Sequence, residues 1–96
     1  MILHTLNASP SSAAFTDCVR VVSRGDALVL MGDGVYAAVE DTMACDALRA
    51  TGAELYLLQA DVLAAGIGDK VGSANCIEMD EMVALTEQYP RQQAWY

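Results

Sequence analysis

The feature that most constrains this chain is the run Ala27-Leu28-Val29-Leu30-Met31, apolar at every position, entered from Asp26 and left through Gly32-Asp33-Gly34. Strand side chains alternate between two faces, so a strand with water on one side alternates apolar with polar residues. A short unbroken run bounded by turn residues is the pattern of a strand covered on both faces. Where strands alternate with helical segments, that place is the interior of a parallel sheet.

The flanking sequence supplies the alternation. Met1–Leu6 reads as a first strand ended by the polar Asn7-Ala8-Ser9-Pro10. Ser9 is the expected N-cap and Pro10 the first helical residue, where a missing N–H costs nothing. Phe15, Cys18, Val19 and Val22 then fall at the spacing of one buried helical stripe. Gly25 stands where a glycine ends a helix. Past the central run, Val35–Val39 reads as a short helical turn. Thr42 caps a second helix reaching Thr51, with Ala44, Ala47, Leu48 and Thr51 on one side and Gly52 ending it. Ala53–Leu58 is a third strand, Asp61–Ala65 a short helix closed by Gly66, and Ile67–Ala74 a glycine-rich loop. Asn75–Met79 is a weak fourth strand. Asp80 should cap a last helix with Met82, Val83, Thr86 and Tyr89 inward, stopped by Pro90, and Gln92–Tyr96 suits an added edge strand. The order predicts one α/β domain over residues 1–96, Rossmann-like and three-layered, with a mainly parallel sheet of about four to five strands flanked by helices.

A domain of 96 residues buries only roughly 60–65% of the surface its unfolded chain exposes. Yet 54% of its residues are apolar, and mean hydropathy is +0.28. The excess is expected on the outside, as a partner interface. The net charge of −8, from five basic and thirteen acidic residues, argues against direct nucleic-acid binding, which draws its affinity from Lys and Arg on phosphates. Arg20, Arg24, Arg49, Lys70 and Arg91 are scattered and form no basic stripe.

The cysteines are Cys18, Cys45 and Cys76, with no CxxC and no His/Cys cluster. That pattern fits free thiols in a reducing compartment rather than a disulfide scaffold or a metal site, and no cofactor motif is present. The opening residues lack a basic n-region, and no run approaches the ~18–20 apolar residues of a membrane span. Cytoplasm, with no membrane partner, is the expectation.

In open parallel sheets ligands bind beyond the carboxyl ends of the strands, so Asn7–Ser12, Gly32–Gly34, Leu58–Asp61 and the stretch after Met79 matter most. The serines of Asn7–Ser12 precede a helix and could meet an anion. They lack the glycines that admit a phosphate, so a capped helix start is the plainer reading and a small anion-binding module the alternative. A receiver-type phosphoacceptor is excluded, because the first strand ends in Asn7 and the chain's single lysine is Lys70. Asp33 between glycines reads as turn chemistry, and His4 as a satisfied core or interface histidine.

A sulfur-carrying thiol must be available as thiolate, which a helix N-terminus favours and apolar burial opposes. Cys18 lies mid-helix on the apolar stripe, the position of a packing residue. Cys45 falls in the first turn of the second helix, but Glu40, Asp41 and Asp46 surround it with like charge. Cys76 begins a short strand and reads as core.

The stretches Leu3-His4-Thr5-Leu6-Asn7-x-Ser9-Pro10, Asp26–Met31 with Asp33–Ala38, and Leu55–Leu58 with Asp61–Gly66 together resemble the TusB/DsrH family. So do Val83-x-Leu85-Thr86 and the terminal Gln93-Ala94-Trp95, and the resemblance spans nearly the whole chain. It implies the smallest of three sister subunits, beside TusC/DsrF-like and TusD/DsrE-like chains, in a dimer of heterotrimers. In the Tus branch such a complex passes persulfide sulfur to a downstream acceptor protein, and the sulfur ends in 2-thiolation of a tRNA wobble uridine. In the Dsr branch it serves dissimilatory sulfur oxidation. The resemblance places the principal sulfur-carrying cysteine in a sister subunit, in the loop after a middle strand. Here that loop is Leu58-Gln59-Ala60-Asp61, without cysteine, so the resemblance implies a chain that acts mainly as a docking subunit. Cys18 matches a first-helix cysteine of the DsrH branch and is the candidate catalytic residue if this chain carries sulfur itself.

Overall fold

The apolar run at residues 27–31 forms the middle of the sheet. In the computed structural model, which describes residues 1–72 and 74–95, the elements are β1 (Leu3–Leu6), α1 (Ala13–Val21), β2 (Ala27–Leu30), a 3-10 turn (Gly32–Ala38) and α2 (Met43–Ala50). They continue as β3 (Glu54–Leu58), α3 (Gln59–Ala65), β4 (Asn75–Ile77), α4 (Met79–Gln88) and β5 (Gln92–Trp95). The strand order is β4-β3-β2-β1-β5, and every neighbouring pair is parallel. The fold class is the one expected, a Rossmann-like α/β sheet with helices on both sides.

All of β2 is buried. Leu28 and Leu30 lie in register with His4 and Leu6 of β1 and with Leu55 and Leu57 of β3. This face meets Phe15 and Cys18 of α1, Leu48 of α2, Val62 of α3 and Val35 of the 3-10 turn. The opposite face, with Leu3, Ala27, Val29 and Ile77, is covered by Met82 and Leu85 of α4 and by Tyr89, which caps its end. The two layers are therefore unequal: α1, α2 and α3 pack on one side and α4 alone on the other.

Several element ends differ from those the sequence suggests. The N-cap of α1 is Ser12, whose hydroxyl accepts the Phe15 N–H at 3.2 Å. Ser9 instead accepts the Ser12 N–H at 3.0 Å, so Ser9 and Pro10 form a turn ahead of the helix. Two serines competed for one cap, and the one followed directly by helix-forming alanines won. At the other end the helix stops at Val21 with an extended Val22. Gly25 (φ 96) serves a Ser23–Asp26 turn closed by the Asp26 N–H on the Ser23 carbonyl at 3.0 Å. The α4 helix starts from Glu78, in a reciprocal capping box with Glu81, and Asp80 sits inside the first turn. Its buried residue is Leu85, while Val83 is 51% exposed. Cys76 is half-buried rather than core. Thr42 caps α2 as expected, accepting the Cys45 N–H at 3.2 Å, and Gly66 ends α3 in the left-handed region.

Candidate functional site

At the carboxyl end of the sheet the backbone is drawn tight. Leu6 accepts the Met31 N–H at 3.0 Å, and the chain then turns at Gly32, φ 53. The Gly32 N–H donates to Asp61 Oδ2 at 2.8 Å, tying the end of β2 to the first turn of α3. A side chain at Gly34 would run into the Leu6 carbonyl, so the 3-10 turn can lie across β1 only because that residue is glycine. Asn7, Gly32–Gly34 and the start of α3 thus converge on one edge, as the topology of an open parallel sheet requires.

Two hollows open there on either side of α3. One, of about 180 Å³, is lined by Gly32, Asp33, Tyr36, Asp61, Ala64 and Ala65. The other, of about 210 Å³, is lined by Leu58, Gln59, Ala60, Glu78 and Met79. Gln59 and Ala60 occupy the loop position discussed above, and they bring no nucleophile to it. The serines of the Asn7–Ser12 segment are spent on one another. Ser9 and Ser11 hydroxyls lie 3.0 Å apart, and the Ser12 hydroxyl donates to the Ser9 carbonyl at 2.7 Å while capping α1.

The thiols lie elsewhere. Cys18 is wholly buried in the larger core layer, and burial pushes its thiol up to about 11. Such a group holds its proton at neutral pH and is a weak nucleophile. Cys45 is also buried. It sits in the first turn of α2 with its thiol directed at the Ala38 carbonyl, 3.8 Å away. Cys76 alone is partly accessible. The structure brings none of the three to the hollows beside α3. Among the described residues no group of three or more His, Cys, Asp or Glu side chains is placed to hold a metal, and no helix is long and apolar enough to cross a membrane.

A polar constellation that the sequence did not reveal lies at the amino end of the sheet. His4 is completely buried. The Trp95 indole N–H donates to its Nδ1 at 3.1 Å, so the proton resides on Nε2, which donates to Asp26 Oδ2 at 3.0 Å. Asp26 also accepts the Ile2 N–H at 2.9 Å and the Ser23 N–H at 3.1 Å. Burial alone would raise the Asp26 pKa. The hydrogen bonds from His4, Ile2 and Ser23 outweigh it and bring the carboxyl down to about 2. The constellation joins β1, the turn before β2 and the edge strand β5. The signal was present in part, since a Trp N–H needs a partner when it is enclosed, but nothing in the sequence pairs residue 95 with residue 4.

A five-stranded all-parallel sheet, unevenly flanked by helices, defines a small Rossmann-like α/β protein. The chain matches the family described as DsrH like protein over residues 8–92, and it belongs to that family. Protein TusB of Pectobacterium carotovorum is 40% identical over 95 residues, covering 98% of this chain and 100% of that protein. Protein TusB of Escherichia coli K12 is 36% identical over the same span, with the same coverage. Among solved structures, the ychN protein from E. coli superposes with a TM-score of 0.72 at 15% identity, covering 97% of each chain. Protein Tm0979 from Thermotoga maritima does so at 0.68 and 24% identity, covering 92% of this chain and 93% of its own. At these identities the superpositions establish the fold.

Proposed function

We propose that this protein is a subunit of a cytoplasmic sulfur-relay complex serving tRNA modification, and that it acts by docking and scaffolding rather than by carrying sulfur. Full-length similarity to TusB proteins supports the pathway. The observation that carries the accessory role is the start of α3, where Gln59 and Ala60 stand at the position the resemblance gives to the sulfur-carrying cysteine of a sister subunit. Its partners in this reading are TusC/DsrF-like and TusD/DsrE-like chains in a dimer of heterotrimers, with a downstream acceptor receiving persulfide sulfur. Co-expression with both sisters followed by size exclusion tests it. Co-elution as one complex is expected, and a stable monomer that ignores the sisters overturns the reading.

The match of Cys18 to a first-helix cysteine of the DsrH branch supports a second reading, a DsrH-type subunit of sulfur oxidation with Cys18 as carrier. The buried, protonated state of that thiol opposes it. Loading the complex with labelled sulfur and mapping persulfides by mass spectrometry separates the two. Label on Cys18 supports the second reading, and label on a sister subunit alone supports the first.

A further inference from the structure

The carboxyl edge carries apolar side chains that the fold leaves uncovered. Tyr36 in the 3-10 turn is 41% exposed, Leu63 on α3 67% and Met79 at the start of α4 58%. They belong to one surface, because α3 lends Asp61 and Ala64 to the hollow beside Tyr36 and Ala60 to the hollow beside Met79. Large apolar groups grouped in this way, with pockets between them, mark an interaction surface more than scattered exposed residues do.

The charge of the same surface narrows what can cover it. The linings hold the carboxylates of Asp33 and Asp61 on one side and Glu78 on the other, and neither includes a lysine or arginine. At the opposite end of the molecule Arg20 and Arg49 lie in the last turns of α1 and α2. Arg24 precedes β2 and Arg91 precedes β5. Asp26 before β2 and Glu54 at the start of β3 lie at that end as well, so the ends differ in that basic side chains are found there and not in the linings beside α3. An acidic, apolar edge repels a nucleic-acid backbone and favours basic groups set among apolar ones. A second copy placed edge to edge is a poor occupant, because it would set Asp33, Asp61 and Glu78 against their own like charges with no lysine or arginine in the linings to pair them.

We propose that the carboxyl end of the sheet, from Tyr36 across Leu63 to Met79, is a docking surface for a protein partner that presents lysine or arginine side chains between apolar ones. The proposal rests on the reading of this chain as a docking subunit and adds to it the surface and the chemistry of what binds there. Apolar side chains of the partner enter the hollows beside α3, and its cations pair with Asp33, Asp61 and Glu78.

The test uses the isotope-labelled full chain and a synthetic helix-forming peptide of leucine and lysine, with a leucine–glutamate twin as control, followed by amide shifts. The basic peptide should shift residues 32–36, 59–65 and 78–79 and leave the amides of α1 and β5 in place, with affinity falling as salt rises. Leu63→Ser and Met79→Ser, both exposed and so compatible with the fold, should each weaken binding by about tenfold, the loss of one buried apolar side chain. Val21→Ser, exposed at the far end of α1, should change nothing. The proposal is overturned by shifts confined to other surfaces, by no shifts, or by equal binding of the acidic twin. Unchanged affinity in both serine variants would also overturn it, as would concentration-dependent shifts of these same amides without peptide, which would assign the surface to a second copy. Size exclusion with the sister subunits is a separate readout, so failure of the surface and failure of the assembly reading are told apart.

Discussion

Replacing Asp26 with Asn tests the amino-end constellation, because the change keeps the shape and reverses one end of the side chain. Asp26 Oδ2 faces the Ser23 N–H and the His4 Nε2 proton at 3.1 and 3.0 Å. Either orientation of the new amide sets donor against donor, at the Oδ2 site against Ser23 and His4 or, turned over, against the Ile2 N–H that Oδ1 accepts at 2.9 Å. His4 cannot relieve this by moving its proton to Nδ1, because Nδ1 already accepts the Trp95 indole N–H. A hydrogen bond to a charged acceptor is worth about 1.5–3 kcal/mol, and a stranded buried donor costs about 1–3 kcal/mol. Asp26→Asn should therefore lose about 3–5 kcal/mol, within the range for breaking a buried polar pair. Against a total stability of about 5–15 kcal/mol, that is a large share. For a domain this size it corresponds to a Tm drop of about 12–40 °C. Urea unfolding followed by far-UV circular dichroism measures it, alone and in a Trp95→Phe background. There His4 is free to change tautomer, so the Asn variant should cost about 1 kcal/mol less. The pH dependence follows from the same carboxylate. Its folded pKa of about 2 lies below the ordinary 3.8, so its contribution is fully present above pH 3.8 and is lost as pH falls through 2. The Asn variant should lack that loss. An Asp26→Asn protein within about 1 kcal/mol of wild type would refute the reasoning.

Three further outcomes are expected. In the folded protein a thiol reagent at pH 8 should modify Cys76 first and leave Cys18 untouched until the chain unfolds. Because Cys18 holds its proton to about 11 against an ordinary 9.0, stability should also decline as pH rises above 9; titrating accessible thiols and following unfolding above pH 9 check both. Gly34→Ala drives a methyl group into the Leu6 carbonyl and should cost about 1–3 kcal/mol as overpacking does, read as a lowered urea midpoint. Thr42→Ala removes the hydroxyl that accepts the Cys45 N–H and should cost about 0.5–2 kcal/mol with little change in the folded spectrum.

The sequence by itself determined the β2 core run, the helix–strand alternation, the Thr42 cap and the absence of a cysteine in the Leu58–Asp61 loop. Those are local matters of periodicity, propensity and residue identity, and the family resemblance follows from the same letters. Caps with rival candidates were less legible. Ser9 and Ser12 both suit the start of α1, and Glu78 and Asp80 both suit the start of α4, so each choice moved a boundary, while in α4 packing chose a stripe through Met82, Leu85 and Tyr89 that leaves Val83 outside. What tertiary structure alone decided is which distant groups meet. Nothing local places Trp95 on His4, draws the Gly32 N–H to Asp61, or sets Tyr36, Leu63 and Met79 around one edge. The register of parallel strands does so, because pairing β5 with β1 and β3 with β2 brings together residues whose separation along the chain carries no periodic signal. Burial of Cys18 at full depth likewise came from two layers closing over the helix stripe, a packing outcome that a stripe on its own only suggests.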